Sequence, residues 1–346
     1  MMIDWTTLEI PFVHTPINCG RVISLDTNGE VEWESEKRVQ VRGSYESNLR
    51  VRSAGTADST NGDIVGSAGF LQIDGNPAKF LQGHNVVGSR DLIVLTDMCV
   101  SKIFKELGFL YTATLRETIL AGNFTISRLD VNDYIEFDSE DNAKAWMMAC
   151  ESVATSRQGK FVRKGTTIYM GKHSRRVSLK IYSKYLELTQ AKKGHQLPIA
   201  LPYKQQLLDY VEKKLRIEAT FRSLFLKDLG LNKAKELTPQ VIGELYAKQV
   251  GKLEMNAQVK LNPMEVMDLP RSVCGTYSLW KDGSRVKDLL PANTFYRHRR
   301  ILQEHGIDIK VSPKKIESNI IPLIRKIEAK PVMMPKWSES VGLIFN

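Results

Sequence analysis

Three short segments place a tyrosine, carboxylates and cations at alternate positions, with apolar residues between them. Because successive side chains of a β-strand point to opposite faces, each segment predicts a strand with one apolar and one polar face. The polar residues are Ser178, Lys180, Tyr182 and Lys184 in 177–184, Arg216, Glu218, Thr220 and Arg222 in 215–222, and Arg128 and Asp130 in 125–131. If the three strands are neighbours in one sheet, a single face carries all of these groups.

Such a face has the components of a site that cleaves phosphodiesters. The Tyr182 phenol has an ordinary pKa of about 10, and it becomes a nucleophile only when its proton is removed or its phenolate is stabilised. Lys180 and Lys184 would lower that pKa, and Asp130 and Glu218 could hold a divalent metal that polarises the phosphate. The product would be a phosphotyrosine, which conserves the energy of the broken bond and allows rejoining.

The same pattern also describes an ordinary amphipathic sheet. Charged solvent faces are common on antiparallel strands, and a strand tyrosine is often a cross-strand packing residue. Alternation alone therefore leaves the catalytic and the structural interpretations open.

The segments around these strands predict an α+β domain with an antiparallel-rich sheet. Residues 1–80 are strand-rich, and further strands are predicted over 124–131, 166–170, 177–182 and 215–221. Helices are predicted over 91–107, 138–153 and 203–213. We expect these helices on one face of the sheet, which would leave the other face free for a ligand. The chain becomes mostly helical after about residue 230, so we predict a nuclease domain over 1–230 and a smaller helical domain over 231–346.

The 346-residue chain carries a net charge of +10, and its basic excess lies in one segment. Residues 160–216 contain fourteen Lys and Arg against three acids, a net charge of +11. A basic surface of this kind favours a nucleic-acid partner. The four cysteines form no CxxC pair, and neither a signal peptide nor an apolar run of membrane length occurs. We therefore expect a cytoplasmic protein with no membrane partner.

Several longer stretches of the chain form recognisable motifs. They are NPAKFLQGHNVVGSRDL (76–92), TISRLD (125–130), GTTIYMGKHSRRVSLKIYSK (165–184), LRIEATFRS (215–223) with LFLKDLGL (224–231), LPANTFYRHRRILQEHGIDI (290–309) and NIIPLIRKIE (319–328). These stretches resemble the gene II replication initiators of filamentous phages, particularly those of the cholera-toxin phage type. The resemblance covers most of the chain in one order, and its nucleophile segment is also similar to that of plasmid rolling-circle initiators.

This resemblance implies an HUH-like nicking endonuclease that starts rolling-circle replication in the bacterial host cytoplasm. The family's nucleophile falls on Tyr182 and its following lysine on Lys184. Its acidic positions fall on Asp130 and Glu218, and its His-Asn pair falls on His84 and Asn85. Tyr182 would attack the phage origin, keep the 5′ phosphate and free a 3′ hydroxyl for a host polymerase and helicase. The substrates would be double-stranded replicative DNA and the single-stranded origin.

The sequence departs from the wider HUH-like class in its metal ligands. It has no His-hydrophobic-His triplet, so His84, Asp130 and Glu218 are the predicted ligands of Mg²⁺ or Mn²⁺. A structural role for His84 in a turn is the equal alternative, and His173 is an outside candidate. Tyr185, three residues after Tyr182, is interpreted as a packing residue.

Predicted DNA contacts come from two places. On and before the sheet strands they are Arg128, Lys172, Arg175, Arg176, Arg216 and Arg222. A short helix, a turn at Pro291 and a second helix capped by Thr294 predict a helix-turn-helix element over 280–300, with Arg297, Arg299 and Arg300 toward DNA. A solvated basic helix is the alternative interpretation.

Two rival functions remain beside the nicking enzyme. One is an origin-binding or regulatory DNA-binding protein without nicking activity, and the other is a nonspecific single-strand binder. A tyrosine recombinase is excluded by order, because no tyrosine follows the His298–Arg300 stretch. The oligomeric state is not predicted.

Overall fold

A computed structural model describes residues 1–17, 20–56, 67–153, 155–156, 159–160, 162–164, 166–190, 196–255, 266, 269–304, 307, 309–310, 330–331, 335 and 337. The strands are β1 Met2–His14, β2 Arg21–Leu25, β3 Val31–Glu36, β4 Val39–Arg42, β5 Asn48–Thr56, β6 Ala68–Gly75, β7 Thr125–Glu136, β8 Thr155–Ser156, β9 Gly159–Lys160, β10 Val162–Lys164, β11 Thr167–Met170, β12 Val177–Tyr182, β13 Lys214–Arg222 and β14 Lys330–Pro331. Ten of them form a central antiparallel sheet with the order β10-β11-β12-β13-β7-β1-β6-β5-β4, in which β14 also pairs with β7. Two short hairpins, β2–β3 and β8–β9, lie outside it.

The described helices follow, with short 3-10 turns at Ser44–Glu46 and Ala234–Glu236. They are α1 Pro77–Gln82, α2 Leu92–Leu107, α3 Ala113–Leu120, α4 Glu140–Val153, α5 Lys184–Gln190, α6 Lys204–Val211, α7 Ser223–Asp228, α8 Pro239–Met255, α9 Arg271–Lys281, α10 Val286–Leu289 and α11 Ala292–Glu304. No helix within the described residues is long and apolar enough to cross a membrane. The stretch 319–328, which carries part of the family resemblance, lies outside the described residues.

The predicted strands and helices of the first domain are found close to their expected positions. The α2 helix shows the local reasons: the Asp91 carboxylate accepts hydrogen bonds from the amides of Ile93 and Val94, and Gly108 ends the helix at φ 72°. Between these caps, residues such as Val100, Ile103 and Phe104 recur at helical spacing and are buried in the main core. This core covers the apolar face of the sheet with α2, α3, α4, α7 and α8.

The polar face of the sheet is not free along its whole length, which corrects the expectation of helices on one face only. A second apolar cluster, which we call the roof, forms over one end of that face. Tyr134 of β7 lies in it, and its hydroxyl donates a hydrogen bond to the Val86 carbonyl at 3.0 Å. The roof comprises Val86, Val87, Tyr134, Leu188, Leu197, Leu201, Leu207 and Val211.

The helical C-terminal part begins later than the boundary predicted near residue 230. Ile242, Leu245 and Tyr246 of α8 are buried in the main core, and the Tyr246 hydroxyl donates to the Ile217 carbonyl of β13 at 3.0 Å. A separate cluster then runs from Leu269 to Ile309 and includes α9, α10 and α11. By packing, therefore, residues 234–255 belong with the sheet.

Candidate active site

The strand register brings the predicted polar residues onto one face. Tyr182 pairs with Arg216 and Lys180 with Glu218 across β12 and β13. Thr220 pairs with Asp130 across β13 and β7. The juxtaposition inferred from alternation alone is thus present in the structure.

Tyr182, Glu218 and Lys180 form a contacting group, which we call the tyrosine cluster. The Tyr182 hydroxyl donates to the Glu218 carboxylate at 3.3 Å. The Lys180 ammonium lies 3.5 Å from the same carboxylate oxygen and 4.1 Å from the centre of the phenol ring. A proton acceptor and a cation therefore flank the phenol.

Burial changes the chemistry expected of Tyr182. Its side chain is 3% exposed, and burial raises the phenol pKa well above its usual value. Arg216 opposes this effect, while Glu218, Glu187 and Asp4 add to it. The predicted lowering of the Tyr182 pKa is therefore wrong for the DNA-free chain, and the phenol stays protonated until a base takes its proton.

Lys184 is not on the tyrosine strand, because β12 ends at Tyr182 and α5 begins at Lys184. Its ammonium is buried and pairs with Glu187, three residues along α5. Burial, followed by the nearby Arg216 charge, lowers the pKa of Lys184 to about 8. Tyr185, also in α5, packs partly buried against the roof.

Arg216 is fully buried, which contradicts its predicted exposure to DNA. Its guanidinium donates to the Asp4 carboxylate at 2.7 Å and to the Asn85 carbonyl at 2.8 Å. The side-chain amides of Asn76 and Asn85 donate to the same Asp4 oxygen, each at 2.8 Å. This network ties the segment after β6 to β1 and β13. Asp4 escaped the sequence analysis, and the available signal was an acid within the apolar start of β1.

The predicted metal ligands do not come together. Both Asp130 oxygens accept hydrogen bonds from the Arg128 guanidinium, at 2.9 and 2.6 Å, and burial raises the pKa of Asp130 to about 7. Nδ1 of His84 accepts a hydrogen bond from the Val86 amide at 3.3 Å. This contact agrees with the alternative interpretation of His84 as a structural residue in a turn. Within the described part of the chain, no three His, Cys, Asp or Glu side chains form a group that could hold a metal ion. The trio His84, Asp130 and Glu218 therefore does not fit Mg²⁺ or Mn²⁺ in this arrangement.

The predicted cations of the turn before β12 lie at the end of that strand opposite Tyr182. Lys172, His173, Arg175 and Arg176 are exposed there, and Arg176 pairs with Asp228. Tyr182 is five positions after Val177, a distance of roughly 16 Å along an extended strand. Arg222 joins this end of the sheet by donating to the Ser174 carbonyl at 2.9 Å.

The second predicted DNA-contacting region has the expected order of a short helix, a turn and a longer helix. The longer helix, α11, begins at Ala292 rather than after a Thr294 cap. Arg297 and Arg300 are exposed and Arg299 is half-buried. His298 instead faces the helical core, where its Nδ1 lies 2.8 Å from the Thr276 hydroxyl.

Fold and site together define an α+β protein that carries a tyrosine, a glutamate and a lysine on the polar face of an antiparallel sheet. The sequence matches the family model for the N-terminal part of phage replication-associated proteins over residues 2–240, and the model for their C-terminal part over residues 261–343. The chain belongs to this family of phage replication-associated proteins, which confirms the resemblance drawn from its motifs.

Two phage proteins agree with the family assignment. The chain is 38% identical over 346 residues to the replication-associated protein of Enterobacteria phage I2-2, which covers 100% of this chain and 98% of that protein. It is 28% identical over 176 residues to the replication-associated protein of Enterobacteria phage M13, covering 46% of this chain and 42% of that one. A solved rolling-circle replication initiator protein from Geobacillus stearothermophilus aligns over 72% of this chain and 83% of its own, with 16% identity and a TM-score of 0.30.

Proposed function

We propose that this chain initiates rolling-circle replication of a filamentous phage by nicking origin DNA, with Tyr182 as the nucleophile. The observation that carries the proposal is the hydrogen bond from the Tyr182 hydroxyl to Glu218, with Lys180 on the same carboxylate. Membership of the family of phage replication-associated proteins supplies the context of phage replication. Host helicase and polymerase would then act on the nicked strand.

The tyrosine cluster supports a transesterification with a defined proton path. Glu218 takes the phenolic proton while the Tyr182 oxygen attacks the scissile phosphorus, and the bond from phosphorus to the 3′ oxygen breaks. The leaving 3′ oxygen takes a proton from water, and the resulting 3′ hydroxyl primes synthesis while the 5′ phosphate stays on Tyr182. Lys180 offsets negative charge that develops on the phosphate. The reverse reaction, with a 3′ hydroxyl as attacking group, rejoins the strand.

A second tyrosine of the polar face is a rival nucleophile. Tyr169 of β11 pairs with Lys180 across β11 and β12 and is only half-buried. The Lys172 ammonium lies 5.3 Å from the centre of its ring. Tyr169 is therefore the more accessible phenol, whereas Tyr182 has the carboxylate partner.

The deciding experiment incubates supercoiled and single-stranded origin DNA with the wild-type chain and with Tyr182→Phe, Tyr169→Phe and Tyr185→Phe. A denaturing gel should show a nick with protein attached to the 5′ end for every chain except Tyr182→Phe. If Tyr182→Phe still nicks and Tyr169→Phe does not, the nucleophile is Tyr169 of β11. Tyr185→Phe is the control, because it removes a phenolic hydroxyl close to the roof without removing the proposed nucleophile.

Dependence on Mg²⁺ or Mn²⁺ is a separate proposal that rests on the resemblance, since no ligand set is assigned. Nicking should cease in chelator and return when either ion is added. Nicking that is unaffected by an excess of chelator would remove the metal from the mechanism.

An origin-binding protein without nicking activity is the second candidate, favoured by the buried and protonated state of Tyr182. It predicts origin-specific binding with no covalent product on any DNA form, with or without Mg²⁺ or Mn²⁺.

A further inference from the structure

A group of arginines surrounds Trp5 on the same polar face, on β7 and toward the β4–β5 edge of the sheet. The buried carboxylate of Asp74 organises it, accepting hydrogen bonds from the Trp5 indole at 3.0 Å and from Thr7 at 2.7 Å. Arg38 and Arg50 both pair with its second oxygen, at 2.7 and 2.5 Å. We call Arg38, Arg50, Arg52, Arg128 and Trp5 the arginine strip.

The strand register places the arginine strip on the same face of the sheet as the tyrosine cluster. One row across the sheet runs Arg222, Arg128, Thr7, Asp74 and Arg50. Five antiparallel strands spaced about 4.8 Å apart make this row roughly 19 Å long. Glu218 lies four residues before Arg222 on β13, so the row begins roughly 13 Å from the tyrosine cluster.

The charges of the strip exceed what its carboxylates neutralise. Arg38, Asp74 and Arg50 together carry a net charge of +1. The side chains of Arg38, Arg50 and Arg128 are 34%, 44% and 38% exposed, although each is paired with an aspartate. The Asp74 and Asp130 carboxylates are buried, so these pairs hold the guanidiniums in place on the sheet. The arginine strip nevertheless keeps guanidinium surface for a ligand.

Aromatic contacts add a second kind of recognition. The Arg50 and Arg128 guanidiniums lie 5.5 and 5.4 Å from the centre of the Trp5 ring system. Planar guanidiniums bind phosphates through two parallel hydrogen bonds, and they stack on bases as indoles do. Only unpaired bases offer their faces for stacking, which favours a single strand over a duplex.

We propose that the arginine strip binds the single-stranded DNA that flanks the scissile phosphate on one side, with phosphates on the arginines and bases against Trp5. This inference rests on the proposed function, because it takes the scissile phosphate to lie at Tyr182. The strip would hold the strand in register while the tyrosine cluster reacts.

The test uses the full-length Tyr182→Phe chain, in which binding is measured without cleavage. Fluorescence anisotropy with single-stranded origin oligonucleotides should show affinity at least tenfold lower for Arg38→Gln/Arg50→Gln, and lower also for Arg52→Gln, which leaves the Asp74 pairs intact. The slope of log affinity against log salt should fall by about 0.7 for each phosphate that a variant no longer binds. Glu9→Gln should tighten binding, because Glu9 lies beside Gln72 on this face and would repel the strand.

Arg21→Gln is the matched control, because Arg21 is an exposed arginine paired with Glu34 on the outlying β2–β3 hairpin. It should bind as the parent does. Substituting 5-iodouracil along each flank should give an ultraviolet crosslink to Trp5 from one flank only. Unchanged affinity in all the strip variants, with melting temperatures equal to the parent, would overturn the proposal. Equal loss of duplex and single-strand binding would overturn its single-strand specificity.

The two proposals fail separately. If the wild-type chain does not nick but the strip variants still lose single-strand affinity, the strip stands and the nicking enzyme does not. If the wild type nicks, and the strip variants nick single-stranded origin substrates of every flank length at the wild-type rate, the flanking DNA does not bind along the arginine strip.

Discussion

At the residue scale, Tyr182 is buried, and burial raises its phenol pKa well above the usual value. In the proposed mechanism the phenol must therefore lose its proton to a base as it attacks. The Glu218 carboxylate, which accepts the hydrogen bond of the Tyr182 hydroxyl, is the base that we propose.

Glu218→Gln should slow nicking by about 10²- to 10⁴-fold, because an amide can accept the phenol's hydrogen bond but cannot take its proton. Single-turnover nicking gives the rate, and anisotropy should show unchanged DNA affinity. Glu187→Gln is the matched change, since the Glu187 carboxylate pairs with Lys184. An equal loss of rate in both variants would contradict Glu218 as the proton acceptor.

His84 makes stability depend on pH in a direction fixed by its environment. Burial, followed by the Lys184 charge, lowers the pKa of His84 from 6.5 to about 4. Between these values the unfolded chain binds more protons, so the free energy of unfolding should fall as pH drops from 6.5 to 4, by up to roughly 3 kcal/mol from this residue. Urea unfolding at pH 7 and pH 4.5 should show a smaller loss for His84→Gln than for the wild type.

Asp130 works in the opposite sense over the same range. Its pKa is raised from 3.8 to about 7, so between these values the folded chain binds more protons than the unfolded chain. The contribution of Asp130 to the free energy of unfolding therefore grows as pH falls and is lost as pH rises through 7. The comparison with His84→Gln isolates the histidine, because Asp130 is common to both chains. Equal losses in the two chains would show that His84 titrates normally.

At the scale of elements, α11 presents its polar residues unequally. Arg297 and Arg300 face solvent, one turn apart, while Phe295 and His298 face the helical core. This division is the one required of a helix that lies in a DNA groove, although a solvated basic helix shows it as well.

Arg297→Gln/Arg300→Gln should weaken binding to duplex origin DNA. If both arginines contact phosphates, the slope of log affinity against log salt should fall by about 0.9 for each. Arg271→Gln, an exposed arginine at the start of α9, should leave affinity and slope unchanged. If the double variant has the same affinity and salt slope as the wild type, α11 does not contact DNA and is a solvated basic helix.

At the scale of the whole molecule, α8 decides where the sheet domain ends. Ile242, Leu245 and Tyr246 fill the main core beside the sheet. Burying apolar side chains of this size contributes about 1.5–3 kcal/mol each, and the three together approach the whole stability of an ordinary domain.

A fragment of residues 1–230 should therefore be largely unfolded, whereas a fragment of residues 1–258 should fold. Circular dichroism and thermal melting of the two fragments check this, with the full chain as reference. A cooperative melt of the shorter fragment at the temperature of the longer one would restore the boundary to residue 230.

The sequence by itself determined the family, the positions of the main strands and of helices α2, α4 and α6, and the face on which Tyr182, Lys180 and Glu218 meet. These follow from local rules, since alternation along a strand assigns each side chain to a face and contiguous motifs carry the family likeness. The same rules placed Lys184 on the tyrosine face by continuing the alternation past Tyr182, whereas β12 ends at Tyr182 and α5 begins at Lys184.

Only the tertiary structure decided what each polar residue contacts. Arg216 and Asp4 are 212 positions apart in the chain, and their pairing turns an expected DNA contact into a buried link. Arg128 occupies the Asp130 carboxylate, and the roof covers the end of the face that alternation left open. Burial and charge pairing depend on which distant segments meet, and both move a pKa away from the value that residue type sets.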